Sequence, residues 1–186
     1  MNTVADSIFD LLITDHRAVA GVFEQLKMEL EEDEPKQEVC LDLLRKIDAL
    51  LTPHARAEEE LVYPAFAASE DAEDGEDAEE ARDAVAEGFE EHALVHQLCA
   101  QLKELPEVDD VWCAKAKVMM DLVEHHVREE ENTMIPAARK ILQKEEALAL
   151  ASEFLSGKER IAGELGLPAP ETLDLPPPAR SQPPKS

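Results

Sequence analysis

Positive charge is what this chain most conspicuously lacks. Its 186 residues carry 18 lysines and arginines against 43 aspartates and glutamates, a formal net charge of −25. Nucleic acid and anionic membrane surfaces are bound through basic patches, so the balance argues against both as partners. Aromatic residues make up 4% of the chain, while alanine, leucine and glutamate abound, a composition that suits helix. Cysteine is sparse and odd in number: Cys40, Cys99 and Cys113 lack CxxC spacing, which predicts reduced thiols and a cytoplasmic setting. No stretch approaches the roughly 20 apolar residues of a membrane span. Asp6 and Asp10 interrupt the early apolar residues, so no secretory leader is expected.

What is present is helical periodicity. Four long amphipathic patterns are predicted, over about residues 4–31, 35–68, 81–105 and 108–143. The first has an apolar stripe of Phe9, Leu12, Val19, Phe23, Leu26 and Leu30, with His16 in its middle. In the second, a stripe from Cys40 to Leu51 leads to His54 and Glu58 and continues through Leu61, Val62 and Ala65. The third puts Val85, Phe89, His92, His96, Cys99 and Leu102 on one face and stops at Pro106. The fourth aligns Val118 or Met119 with Leu122, His126, Glu130, Met134, Ala137 and Ile141. Residues 69–80, acidic and centred on Gly75, read as a solvated loop. A weaker helical stretch, residues 145–155, is expected across one end, and the proline-rich residues after Leu167 are expected to be disordered or extended. The organisation read from the chain is thus a bundle over 1–145, a short helical extension over 146–166 and a tail over 167–186.

All six histidines fall in these patterns, as His16, His54-x-x-x-Glu58, His92-x-x-x-His96 and His125-His126-x-x-x-Glu130. A spacing of four puts two side chains one turn apart on one helix face. Imidazole and carboxylate on facing helices are how a bundle builds a metal site in its core. A buried, unpaired carboxylate is costly, and two facing each other also repel. A pair of cations between Glu58 and Glu130 removes both penalties. Two six-coordinate ions offer about twelve positions. Five imidazoles, two bridging carboxylates and one bridging oxo or hydroxo group fill all but about one, leaving a place for a small external ligand. Zinc, which prefers four ligands, needs fewer. The Glu-x-x-His pattern of ferritin-like di-iron bundles is missing.

The chain also repeats itself. His54-Ala-Arg-Ala-Glu-Glu-Glu-Leu-Val-Tyr-Pro64 aligns with His126-Val-Arg-Glu-Glu-Glu-Asn-Thr-Met-Ile-Pro136, and Asp15-His16 aligns with Glu91-His92. Two helical hairpins stacked as a bundle are therefore expected. Ala20 stands where His96 stands in the second hairpin, so the two metal positions should not be equivalent.

The order and spacing of these motifs resemble a hemerythrin-like (HHE cation-binding) domain over about residues 5–143. The resemblance implies an all-α, up-down-up-down four-helix bundle holding an oxo- or hydroxo-bridged pair of iron ions. By position, His16, His54, His92, His96 and His126 are terminal ligands, and Glu58 and Glu130 are bridges. Oxygen-carrying hemerythrins place a carboxylate five residues after the histidine of the last helix, which would select His125; the repeat register selects His126. The carriers use Asp at that bridge where this chain has Glu130, and they lack the C-terminal extension, so simple oxygen storage is not the expected role.

Other residues carry plainer readings. His125 is expected to be a neighbour of the site or a surface residue. Glu59, Glu60, Glu129 and Glu131 are expected to form a solvated face or to partner Arg56 and Arg128, and Tyr63 to pack against a neighbouring helix. Cys99 reads as an inert buried thiol, and Trp112, Met119 and Met134 as core. The expected function is catalase- or peroxidase-like chemistry on peroxide, dioxygen or nitric oxide. The alternatives are reversible oxygen carriage or sensing, and an iron-homeostasis role through a protein partner docked by the tail.

Overall fold

The computed structural model describes residues 7–70 and 76–179. The chain is all-helical: α1 (Ile8–Leu30), α2 (Gln37–Ala57), α3 (Tyr63–Glu70), α4 (Glu76–Glu104), α5 (Asp110–Glu129), α6 (Ile135–Ile141) and α7 (Lys144–Leu165). Single π-helical turns, Glu58–Val62 and Glu130–Met134, join α2 to α3 and α5 to α6. Four long rods result, made of α1, α2 with α3, α4, and α5 with α6. Short connections between α1 and α2 and between α4 and α5 turn the chain back on itself. Contacts of α1 with α2, α4 with α5, α2 with α4 and α1 with α5 close the bundle.

Local chemistry sets the helix ends. The Asp10 carboxylate accepts from the Ser7 backbone N–H at 3.1 Å and the Ser7 hydroxyl at 2.6 Å, which starts α1. Asp109 caps α5 by accepting from the Trp112 N–H at 2.9 Å. Gly166, at φ 65°, closes α7 in the left-handed conformation.

Two apolar clusters fill the bundle, and the histidine layer lies between them. Val19, Phe23, Leu51, Val95, Met119 and Val123 belong to one cluster, and Leu12, Ala57, Val62 and Ile135 to the other. Along α1 the order is Leu12, His16, Val19; along α2 it is Leu51, His54, Ala57. A polar layer placed this way is largely shielded from bulk water, so its buried donors and acceptors must be satisfied mostly from within.

Several expectations need adjusting. Phe89 is 41% exposed, and Gly88 takes the inward place on α4. On α5 it is Met119 that is buried, with Val118 outside. Helix covers residues 69–70 and 76–80 of the stretch read as a loop, and 71–75 lie outside the described residues. The terminal helix is longer than the stretch 145–155 because Ala147, Leu150, Ala151, Phe154 and Ile161 keep one buried face. It lies along α1 and α2. Residues 167–179 form no regular element beyond a 3-10 turn, Pro170–Thr172, with Leu175 against the core and the Ala179 N–H donating to the Arg17 carbonyl at 3.0 Å. The part of the expected disordered tail over 180–186 lies outside the described residues. Among the described residues no helix is long and apolar enough to cross a membrane.

Candidate metal centre

The two bridging candidates start the two π turns. Tyr63 N–H bonds back to the Glu58 carbonyl and Ile135 N–H to the Glu130 carbonyl, each five residues away. Pro64 and Pro136 follow at once. A proline inside a helix has no N–H, and its ring crowds the carbonyl four residues back. Widening the preceding turn relieves that crowding, and such bulges occur often at functional sites.

The buried side chains of Glu58 and Glu130 meet the imidazoles in two groups. His16, His54, Glu58 and Glu130 offer ligand atoms all within 4.8 Å of one another, and so do Glu58, His92 and His126. His54 Nε2 lies 3.0 Å from Glu58 Oε1, and His16 Nε2 lies 3.1 Å from Glu130 Oε2. On the other side His92 Nε2 is 3.5 Å from Glu58 Oε2, His126 Nε2 is 3.7 Å from Glu130 Oε2, and the two ring nitrogens are 3.0 Å apart. Despite these short distances, His16 Nε2, both Glu58 oxygens and Glu130 Oε2 are buried without a hydrogen bond of acceptable geometry. Orphaned buried polar atoms are costly, and here they converge. Imidazole nitrogen and carboxylate oxygen are the donors that divalent and trivalent transition metals take, so the residues fit a metal centre.

The opposite nitrogen of each of these four histidines meets a carboxylate. His16 Nδ1 is 3.0 Å from Glu131, His54 Nδ1 3.0 Å from Asp15, His92 Nδ1 3.0 Å from Glu59 and His126 Nδ1 2.9 Å from Glu91. With Nδ1–H donating outward, the tautomer leaves Nε2 free to ligate. The pattern follows the repeat. The acid before the first histidine of each hairpin serves the second histidine of the same hairpin, and the acid after each bridge serves the other hairpin. Sequence reasoning missed all four. Glu59 and Glu131 hold histidine rings instead of forming a solvated face, while Glu60 pairs with Arg160. The usable signal was the alignment of Asp15-His16 with Glu91-His92.

Tyr63 also belongs to the site. Its buried hydroxyl donates to Glu130 Oε1 at 3.1 Å and lies 3.4 Å from His126 Nε2. Burial, with Glu130 beside it, pushes this phenol well above its ordinary pKa. Gly88 makes the room: a Cβ there would stand 2.9 Å from the Tyr63 hydroxyl and 3.3 Å from His126 Cε1. His126 is buried with its Nε2 in the cluster, whereas the His125 side chain is 51% exposed and 3.6 Å from Glu91. His96 joins neither group. Its Nε2 is buried and without a hydrogen bond, and burial lowers its pKa. Cys99 bonds to the Met119 sulfur at 3.3 Å, and burial pushes its thiol up to about 12.

The acids charge the metal-free site. Burial alone would lower the pKa of His16, but the Glu130 carboxylate 3.1 Å from Nε2 and the hydrogen bond to Glu131 reverse that and raise it to about 9. Against the same burial, Glu58 and Asp15 raise His54 to about 10. Asp15, despite its own burial, is drawn down to about 2 by His54 and Lys158. A cavity of about 110 Å³ adjoins the centre, lined by His16, His54, His92, His96 and His126 and walled by Val19, Phe23, Leu51, Val95, Val123 and Val127.

Comparison with known proteins places this geometry in a family. A protein from Nostoc sp. (strain PCC 7120 / SAG 25.82 / UTEX 2576) named DNA nickase is 32% identical over 163 residues, 86% of this chain. The chain spans 41% of that relative's length. No solved structure matches it. Residues 7–138 match the hemerythrin HHE cation binding domain, the span that holds every ligand candidate. The chain belongs to the hemerythrin HHE cation-binding family.

Proposed function

We propose that this protein holds two iron ions and uses them on a small oxidant, with peroxide the favoured substrate and dioxygen or nitric oxide as other guests. His16 and His54 would hold one ion, His92 and His126 the other, with Glu58 and Glu130 shared between them. His96, lining the same cavity with a free Nε2, is available to the second ion. When bound, an iron pair supplies two electrons' worth of redox capacity, which suits disproportionation of two peroxides to dioxygen and two waters.

The observation that carries this reading is the cavity. At about 110 Å³ it has room for the equivalent of about three or four waters, and drug-sized ligands need about 300 Å³ or more. Its valines, leucine and phenylalanine keep bulk water off the ligand layer, and the four outer carboxylates fix the imidazole rings. Burial lowers the pKa of His96, which favours the neutral ring that a cation takes.

The Nostoc relative's name suggests a DNA substrate, but two features of this chain speak against it. A net charge of −25 repels a phosphodiester backbone, and the ligand layer lies buried behind a cavity too small for a nucleotide. A cytoplasmic setting suits the three free cysteines.

The test is elemental analysis of protein expressed with iron, followed by oxygen-electrode traces on adding peroxide. Two irons per chain and oxygen evolution, both lost in His54→Ala, are expected. Zinc alone, or no metal, would sink the redox reading. Iron without turnover, together with an oxygen adduct that reverses under vacuum, would support a carrier instead.

A further inference from the structure

The outer carboxylates are alike in their histidine bonds but not in what stands behind them. Asp15, which holds His54, forms an ion pair with Lys158. Glu91, its counterpart in the second hairpin, holds His126 and has the exposed His125 ring at 3.6 Å on its other oxygen. Among the described residues no lysine or arginine forms an ion pair with Glu91 or Glu131, and Arg56 acts on Glu59 through space without an ion-pair contact. Lys158 lies on α7, beyond the residues 7–138 of the family domain. The same helix presents Phe154 edge-on to the His54 ring, with centroids 5.8 Å apart. The Lys158 ammonium passes 5.2 Å from the Phe154 ring centre on its way to Asp15. Its side chain is 18% exposed, so solvent screens this charge weakly.

We propose that Lys158 is a positioning residue, which holds Asp15 against His54 and makes the His16–His54 position of the centre electronically distinct from the His92–His126 position. This rests on the iron-pair reading above. The physics has two parts with one sign. An ammonium on Asp15 draws the carboxylate's electron density away from the His54 N–H, leaving His54 a poorer donor to a cation. The fixed positive charge also disfavours the more highly charged oxidation state nearby. Both raise the reduction potential on the His54 side. Among the described residues the second hairpin has no equivalent of α7, so this difference adds to the one made by Ala20 and His96.

The experiment is a redox titration of iron-loaded, full-length protein, followed by its absorption spectrum, with iron content and circular dichroism checked for each variant. Wild type should show two one-electron steps. Lys158→Gln should move one step to a more negative potential and leave the other nearly in place. Lys158→Arg should restore it, and Arg45→Gln, which removes an exposed cation elsewhere on the bundle, should move neither. If Lys158→Gln holds less iron, recovery of full content in Lys158→Arg supports the same assignment. Two wild-type steps that Lys158→Gln leaves unchanged, or shifts equally, overturn the role of Lys158 and leave the iron pair standing. A wild-type protein with no redox step overturns both.

Discussion

His54 has a carboxylate on each ring nitrogen, Glu58 on one side and Asp15 on the other, both at 3.0 Å. That arrangement makes the metal-free protein depend on pH in a defined direction. His16 and His54 are raised to about 9 and about 10 from an ordinary 6.5. A raised folded-state pKa means that the protonated ring stabilises the fold fully below about pH 6.5, and that this contribution fades as pH climbs through the folded values. The melting temperature of chelator-stripped protein should therefore fall between pH 6.5 and 10. Metal needs the neutral rings, so the loaded protein should gain on the stripped one over that window. A stripped-protein melting curve that is flat or rising there would contradict the assignment. Gly88 gives a second test at this scale. Gly88→Ala should favour helix by about 1 kcal/mol but drives a methyl against the Tyr63 hydroxyl and His126. Dialysis against a chelator should strip this variant faster than wild type. Tyr63→Phe, which removes the bond to Glu130 without crowding, should keep its metal and lose about 1 kcal/mol of stability. Equal retention in wild type and Gly88→Ala would show that the phenol yields freely.

The helices themselves were legible in the sequence. Apolar periodicity marks four rods, and ligand spacing marks the face where they meet. The π turns were not legible, because periodicity averages over a turn and one extra residue barely disturbs it. Pro64 and Pro136 were the local sign: matched in the repeat, they sit six residues after Glu58 and Glu130 where an ordinary helix would pay about 3 kcal/mol for them. The outer carboxylates were hidden for a different reason. In so acidic a chain, an acid that holds a histidine looks like one that faces water, and what separates them is which rod stands opposite. The π turn carries its own prediction. Pro136→Ala restores an N–H and lets the helix close to its normal pitch, which turns Glu130 relative to His126. The metal-free variant should be more stable than wild type by about 1–3 kcal/mol, yet hold less metal after dialysis. Calorimetry of stripped protein beside elemental analysis of loaded protein reads both. A variant that gains stability and keeps its full metal would show that the widened turn does not serve the centre.

At the scale of the molecule, two hairpins related by repeat build a nearly symmetric ligand layer, and what lies outside them breaks the symmetry. Helix α7 and the chain after it cover α1 and α2, with no counterpart on α4 and α5 among the described residues. Composition could not foresee this. Proline-rich sequence reads as extended because it lacks partners of its own, and whether a neighbour supplies them is a tertiary fact. Here the neighbour is α1. A Cβ at Gly21 would stand 2.7 Å from the Pro177 carbonyl oxygen, and the Ala179 N–H bonds to the Arg17 carbonyl at 3.0 Å. Gly21 is thus the opening through which the tail reaches α1, and the blocking atom is backbone, which cannot swing aside as a side chain can. Gly21→Ala should leave the bundle intact, since alanine favours α1 by about 1 kcal/mol, and leave metal content unchanged. It should release the segment around Leu175 and Pro177 from the helix. Limited proteolysis followed by mass spectrometry should then show cuts between residues 167 and 179 at protease levels that spare the wild type. An unchanged cleavage pattern would mean that the tail is not held at Gly21, and that its seating on α1 contributes nothing to the protection of that segment.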